Sequence, residues 1–159
     1  DKVCVNTGAV NEPTLISESS KIFGSSCIVV EIQAKKRSSK HWEVLIENGR
    51  EQTHLDVKDW CKKVEELGAG EILLTSVDND GTGLGFDSHL IEEVCNKTNI
   101  PIIASGGCAE VKNITNLASE LPVNGVCIAS GLHFNKITIE EVKKNLLSHN
   151  VEVRQLWIK

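Results

Sequence analysis

Acidic and glycine residues crowd the stretch from Glu71 to Asp87, EILLTSVDNDGTGLGFD, where an apolar run breaks abruptly into polar sequence. Asp78 and Asp80 offer carboxylates, and Gly81, Gly83 and Gly85 let backbone amides approach an anion without side-chain obstruction. Ile72, Leu73 and Leu74, bounded by Gly68 and Gly70, predict a strand buried on both faces that delivers this chemistry at its end. The plain alternative is an Asp-Gly turn between a strand and a helix.

The same pattern recurs downstream. Pro101 to Ala104 reads as a short strand ending in Ser105-Gly106-Gly107, and Val126 to Ala129 as another ending in Ser130-Gly131. Glycine permits close approach at each point, and Ser130 adds a hydroxyl donor, so with Gly81 three adjacent loops would share one anion. Three unrelated glycine turns are the alternative.

These loops need a scaffold. Lys2 to Thr7 alternates like a strand and ends in Asn6-Thr7; a helix capped by Asn11, with Pro13 in its first turn, follows, with Leu15, Ile16, Ile22 and Phe23 as its apolar side and Gly24 as its stop. Cys27 to Ile32 predicts a strand ending at Gln33, and residues 36–53 an exposed hairpin turning at Asn48-Gly49. Asp56 caps a helix through Val57, Trp60, Cys61, Val64 and Leu67; further helices run through Leu90, Ile91, Val94 and Cys95, through Val111, Ile114, Leu117 and Leu121, and from a Thr138–Glu141 capping box through Val142, Leu146 and Leu147. The tail from Val151 stays unassigned, with Trp157 expected to pack against the body. Strand-helix alternation of this kind implies an α/β fold with a parallel sheet, either an open doubly wound sheet or part of a (βα)8 barrel. Polar and glycine residues at nearly every strand end favour the barrel, whose active sites sit on that face.

The chain's 159 residues suit one domain, and its net charge of −5, with basic residues dispersed among acids, gives no footprint for nucleic acid or an anionic membrane. No apolar run approaches the roughly 20 residues needed to span a bilayer, and no signal segment opens the chain, so a cytoplasmic location is expected. Cys4, Cys27, Cys61, Cys95, Cys108 and Cys127 are scattered without a CxxC pair, and His41, His54, His89, His133 and His149 form no ligand motif, so neither a disulfide nor a metal or other cofactor is expected. The chain lacks Met and begins directly on a strand-like segment, which predicts that the natural N-terminus lies upstream.

GAGEILLTSVDNDGTGLGFD, PIIASGG and VCIASGLHF, in this order and spacing, together with the opening DKVCVNTGAV, resemble the cyclase subunit of imidazole glycerol phosphate synthase, a (βα)8 TIM barrel of histidine biosynthesis. The resemblance covers nearly the whole chain, from the family's fourth strand onward. It implies a single partial domain, residues 1–159, comprising the C-terminal five-eighths of the barrel with a β-hairpin insertion. The family's reaction joins ammonia, supplied by a glutaminase subunit, to a bisphosphorylated aminoimidazole carboxamide ribonucleotide, and yields imidazole glycerol phosphate. By resemblance, Gly81, Gly107, Ala129 and Ser130 form one phosphate clamp, and Asn6 and Thr7 contribute to the other. Asp80, Thr75 and Ser105 contact substrate, and Lys2 and Glu71 belong to a charged ring gating the ammonia path.

Two departures bear on activity. The family's acid/base pair comprises an aspartate on its first strand, outside this chain, and one at the position of Gln33. A carboxamide exchanges no proton near neutral pH, although it can hydrogen-bond. The isolated chain is therefore expected to be inactive, and a non-cyclising ammonia conduit, as in paralogues linked to sugar amidation, is the alternative. Unpaired parallel edges further predict self-association.

Overall fold

The computed structural model describes residues 1–154, and the expectation for Trp157 lies outside them. Its element order is β1 (Val3–Val5), α1 (Thr7–Asn11), α2 (Thr14–Phe23), β2 (Ile28–Ser38), β3 (His41–Ile46), β4 (Glu51–Asp56), α3 (Val57–Glu66), β5 (Glu71–Ser76), α4 (Ser88–Cys95), β6 (Ile102–Ser105), α5 (Val111–Glu120), β7 (Gly125–Val126), α6 (Ser130–His133) and α7 (Ile139–Ser148). Strands β1, β2, β5, β6 and β7 pair in parallel in that order, and β3 and β4 add antiparallel to β2. This is the parallel α/β arrangement expected, with the hairpin inserted after the second parallel strand.

The sheet is covered on one side. Ile72, Leu74 and Ser76 of β5 are buried while Glu71, Leu73 and Thr75 are only half-buried, so β5 is not enclosed on both faces. The helices pack Ile16, Val57, Trp60, Val64, Leu90, Ile91 and Val94 against Val30, Ile32, Ile72, Leu74, Ile102 and Ala104. A second apolar cluster joins Cys108, Ile114, Ile137, Val142 and Leu146. The opposite, open face carries the alternate residues of each strand.

Several boundaries differ from the sequence reading. Strand β2 does not stop at Gln33 but runs on to Ser38, because Gln33 to Lys36 pair with Leu45 to Trp42 of β3 after the neighbour β1 has ended at Val5. Only one strand of the hairpin is exposed as expected: β4 is largely exposed, whereas Trp42, Val44, Leu45 and Ile46 of β3 are buried, and Trp42 and Val44 share the core with Val57 and Trp60. Its turn holds Asn48 and Gly49 at φ of 59° and 77°, the left-handed region that Asn and Gly tolerate best. Asn11 closes α1 rather than capping α2, whose N-cap is Pro13, and Ile22 and Phe23 are 73% and 66% exposed, leaving Ile16 as that helix's buried anchor. The last strand is only Gly125–Val126; beyond it, Cys127 N–H still donates to the Ala104 carbonyl.

Local caps match their residues. Asp56 accepts from the amides of Lys58 and Asp59, Asp87 from Leu90, and Thr138 and Glu141 exchange reciprocal bonds at the start of α7. Gly24, at φ of 86°, ends α2. Among the described residues, no helix is long and apolar enough to cross a membrane.

Candidate functional site

Three consecutive strand-to-helix loops meet at the C-terminal ends of the parallel strands. Asp80 and Gly81 after β5, Ser105 to Gly107 at the end of β6, and Cys127, Ala129 and Ser130 after β7 line one small recess. Its shape depends on glycine. Gly107 sits at φ of 95°, and a Cβ there would lie 2.1 Å from the Gly85 carbonyl oxygen; one on Gly106 would lie 2.7 Å from that of Ser76. The loops are tied across this contact, where Gly85 N–H donates to the Gly107 carbonyl at 2.8 Å and Asn79 Nδ2 donates to the Gly85 carbonyl at 2.8 Å.

Asp80 N–H and Cys127 N–H at the recess are spent on the Ser76 and Ala104 carbonyls, but other backbone donors there are not. Among the described residues, the amides of Gly81, Gly107, Ala129 and Ser130 donate to no acceptor. Uncommitted N–H groups on glycine-rich loops around one recess are donors that an anionic oxygen can use.

The two aspartates of the glycine-rich loop have separate environments. Burial pushes the Asp78 carboxyl up, but the Lys35 ammonium and the Lys36 N–H, which donates to Asp78 Oδ2 at 2.8 Å, outweigh it and hold the group below the usual aspartate range. Asp78 thus fastens the loop to β2, whereas Asp80 is exposed at the recess.

The open face below the recess carries polar side chains in rows. Register places Gln33 beside Thr75 and Thr75 beside Ser105; one step nearer the strand starts, Glu31 lies beside Leu73 and Leu73 beside Ile103. Gln33 Nε2 and Thr75 Oγ1 donate to Glu31 Oε1 at 3.3 and 3.4 Å. At the N-terminal end, Lys2 Nζ meets Glu71 Oε2 at 2.7 Å. Asn6 and Thr7, at the end of β1, are engaged elsewhere: Asn6 Nδ2 donates to the carbonyls of Glu31 and Leu45, and Thr7 Oγ1 accepts from Glu47 N–H. The residues expected at the site thus divide into the recess, the row of Gln33 and Thr75, the Lys2–Glu71 pair, and the β1 end against the hairpin turn. Glu31 was not singled out from the sequence, although an acid two residues before Gln33 in an alternating strand shares its face.

A family model described as histidine biosynthesis protein matches residues 1–138. The chain belongs to the histidine biosynthesis protein family. It is similar to imidazole glycerol phosphate synthase subunit HisF of Prochlorococcus marinus, with 49% identity over 156 residues, covering 97% of this chain and 61% of that protein. The same subunit of Methanopyrus kandleri is 47% identical over 173 residues (98% and 64% covered), and that of Lactococcus lactis 44% over 155 (97% and 60%). The chain thus spans about three-fifths of the length of these family members.

Proposed function

We propose that the protein carrying this chain is an imidazole glycerol phosphate synthase cyclase subunit, in which these strand-helix units form the C-terminal five-eighths of a (βα)8 barrel. The observation that carries this reading is the recess of unused amides from Gly81, Gly107, Ala129 and Ser130, in a chain nearly half identical to HisF subunits. The recess would hold one phosphate of the bisphosphorylated substrate, and Asn6 and Thr7 would border the second. Asp80, Thr75 and Ser105 would contact the body between them, whose ribulosyl arm presents a ketone. Ammonia from a glutaminase partner would enter past Lys2 and Glu71. No cofactor is required by this scheme.

The test has two parts. Inorganic phosphate titrated into ¹⁵N-labelled protein should shift the amides of Gly81, Gly107 and Ser130, and the full-length protein should cyclise substrate with ammonium as the nitrogen source. Absence of both effects at millimolar phosphate and saturating ammonium sinks the reading.

Gln33 favours a second reading, because an amide at that position hydrogen-bonds without transferring a proton. In that case the protein binds phosphates and conducts ammonia without cyclising, for example toward sugar amidation. A Gln33→Asp variant gaining orders of magnitude in cyclisation would support it. The free edges of β1 and β7, with Val3 60% exposed, also support completion of the sheet by further strands of the same polypeptide or by a second copy of this chain. Sedimentation of residues 1–159 as a monomer would exclude the second copy.

A further inference from the structure

Two carboxylates stand on the rows of the open face, and they are held differently. Glu71 is neutralised by Lys2 at 2.7 Å. Glu31, half-buried in the wall of the sheet, has no basic side chain within ion-pair distance among the described residues. Its Oε1 accepts only the long bonds from Gln33 Nε2 and Thr75 Oγ1, and its Oε2 has no partner among them. Glu31 therefore keeps a carboxylate oxygen uncommitted beside the row of Gln33 and Thr75.

The orientation of Gln33 points the same way. Its Oε1 is buried without a donor, on the side of Gly49. With the amide turned over, its oxygen would face the Glu31 carboxylate and its NH₂ would be buried with nothing to accept it. The network therefore fixes the nitrogen toward Glu31. Gln33 leaves one acceptor unsatisfied and in exchange aims a donor at Glu31.

We propose that Glu31 is a proton-transferring carboxylate of this site, standing in for the one missing at Gln33, with Gln33 and Thr75 as its positioning donors. The inference rests on the cyclase reading above. Two residues at about 3.3 Å each place Glu31 about 6.6 Å nearer the strand starts than Gln33, toward the Lys2–Glu71 end. When the ammonia lone pair bonds to the ketone carbon, the carbonyl π pair moves to oxygen and nitrogen becomes positive. Glu31 takes a proton from nitrogen, whose N–H bonding pair stays on nitrogen. The resulting carboxylic acid returns that proton to the oxygen, leaving a neutral carbinolamine and restoring the carboxylate. The charged and titratable groups sharing the face are Lys2 and Cys4 at β1, Lys35 from β2, which pairs with Asp78, Glu71 from β5, which pairs with Lys2, and Cys127 after β7, with Asp80 at the rim. The Cys4 thiol is pushed up first by its burial and then by the Glu31 charge.

The test is steady-state cyclisation by the full-length protein, with ammonium as the nitrogen source, across pH, alongside phosphate binding followed by ³¹P NMR. Glu31→Gln should lower kcat by about 100-fold or more, the range expected for loss of a general acid/base. Its KM and phosphate affinity should stay within about threefold, showing an intact fold, and the acid limb of the pH profile should disappear. Glu31→Asp should keep that limb at reduced rate, and Thr75→Val should displace it. A Glu31→Gln protein that binds phosphate and keeps both its rate and its acid limb overturns the assignment alone. A wild-type protein that binds phosphate but turns nothing over overturns the assignment together with the cyclase reading.

Discussion

Trp42 Nε1 donates to Asp87 Oδ2 at 3.2 Å while the other oxygen of the same carboxylate accepts from Leu90 N–H at 3.1 Å. One aspartate thus caps α4 and satisfies the indole of the buried hairpin strand. Replacing it removes a cap and orphans an indole N–H at once. Asp87→Ala should cost about 1–3 kcal/mol in denaturant unfolding, and Trp42→Phe, which removes the donor but keeps a ring, should lessen that penalty. Purely additive effects in the double variant would show that the two groups are not coupled.

Gly107→Ala should damage the recess more than the fold. The added methyl meets the Gly85 carbonyl oxygen at 2.1 Å, and φ of 95° suits no side chain. The loop must shift, at a cost of about 1–2 kcal/mol or more for left-handed backbone alone. Phosphate affinity should fall at least tenfold while far-ultraviolet circular dichroism stays unchanged.

Acid should loosen the hairpin. Burial drives the Glu43 carboxyl upward, but the His54 N–H at 2.8 Å and Arg37 Nε at 2.6 Å prevail and hold it below the usual glutamate range. A carboxyl that titrates lower folded than unfolded contributes stability above the ordinary value of about 4.3, and loses it as pH falls through the folded value. Glu43→Gln should therefore flatten the fall in unfolding free energy below about pH 5. Arg37→Ala should cost about 1–3 kcal/mol near neutrality; that range is below the figure for a fully buried pair because Arg37 is 34% exposed.

The Lys2–Glu71 pair should matter little for stability. With the lysine 49% exposed, a double-mutant cycle should return a coupling of about 0.2–1 kcal/mol. In the cyclase reading, exchanging the two charges should impair glutamine-dependent turnover more than turnover with added ammonium. Equal losses in both assays would count against a gating role.

Features written locally were legible in the sequence. Asp56, the Thr138–Glu141 box and the Gly24 stop each act within a turn of their own residue, and each stands where its type predicts. Features set by distant partners were not. The polar run from Lys35 to Ser38 becomes strand only because β3 folds back on it, and β3 is buried only because α3 supplies the matching apolar face. Leu73 sits in an apolar run yet is half-buried, since helices cover one side of the sheet alone. For the site, the three glycine loops could be read from their residues. Glu31 could be reached only by counting alternate positions back from Gln33.

The double neighbour of β2 has a consequence for how the chain assembles. One edge of this strand pairs with β1 along Val3 to Val5 and then with β3 from Gln33 onward. The β3 partner follows after a short turn, whereas the parallel partner β5 must wait for α3 to be traversed. Closing the short loop loses less chain entropy, so antiparallel pairing can precede the parallel ladders. The inserted hairpin thus gives a slow-forming parallel sheet a fast local start, and mutations in the turn between β2 and β3, at Ser39 and Lys40, should register first in the refolding rate.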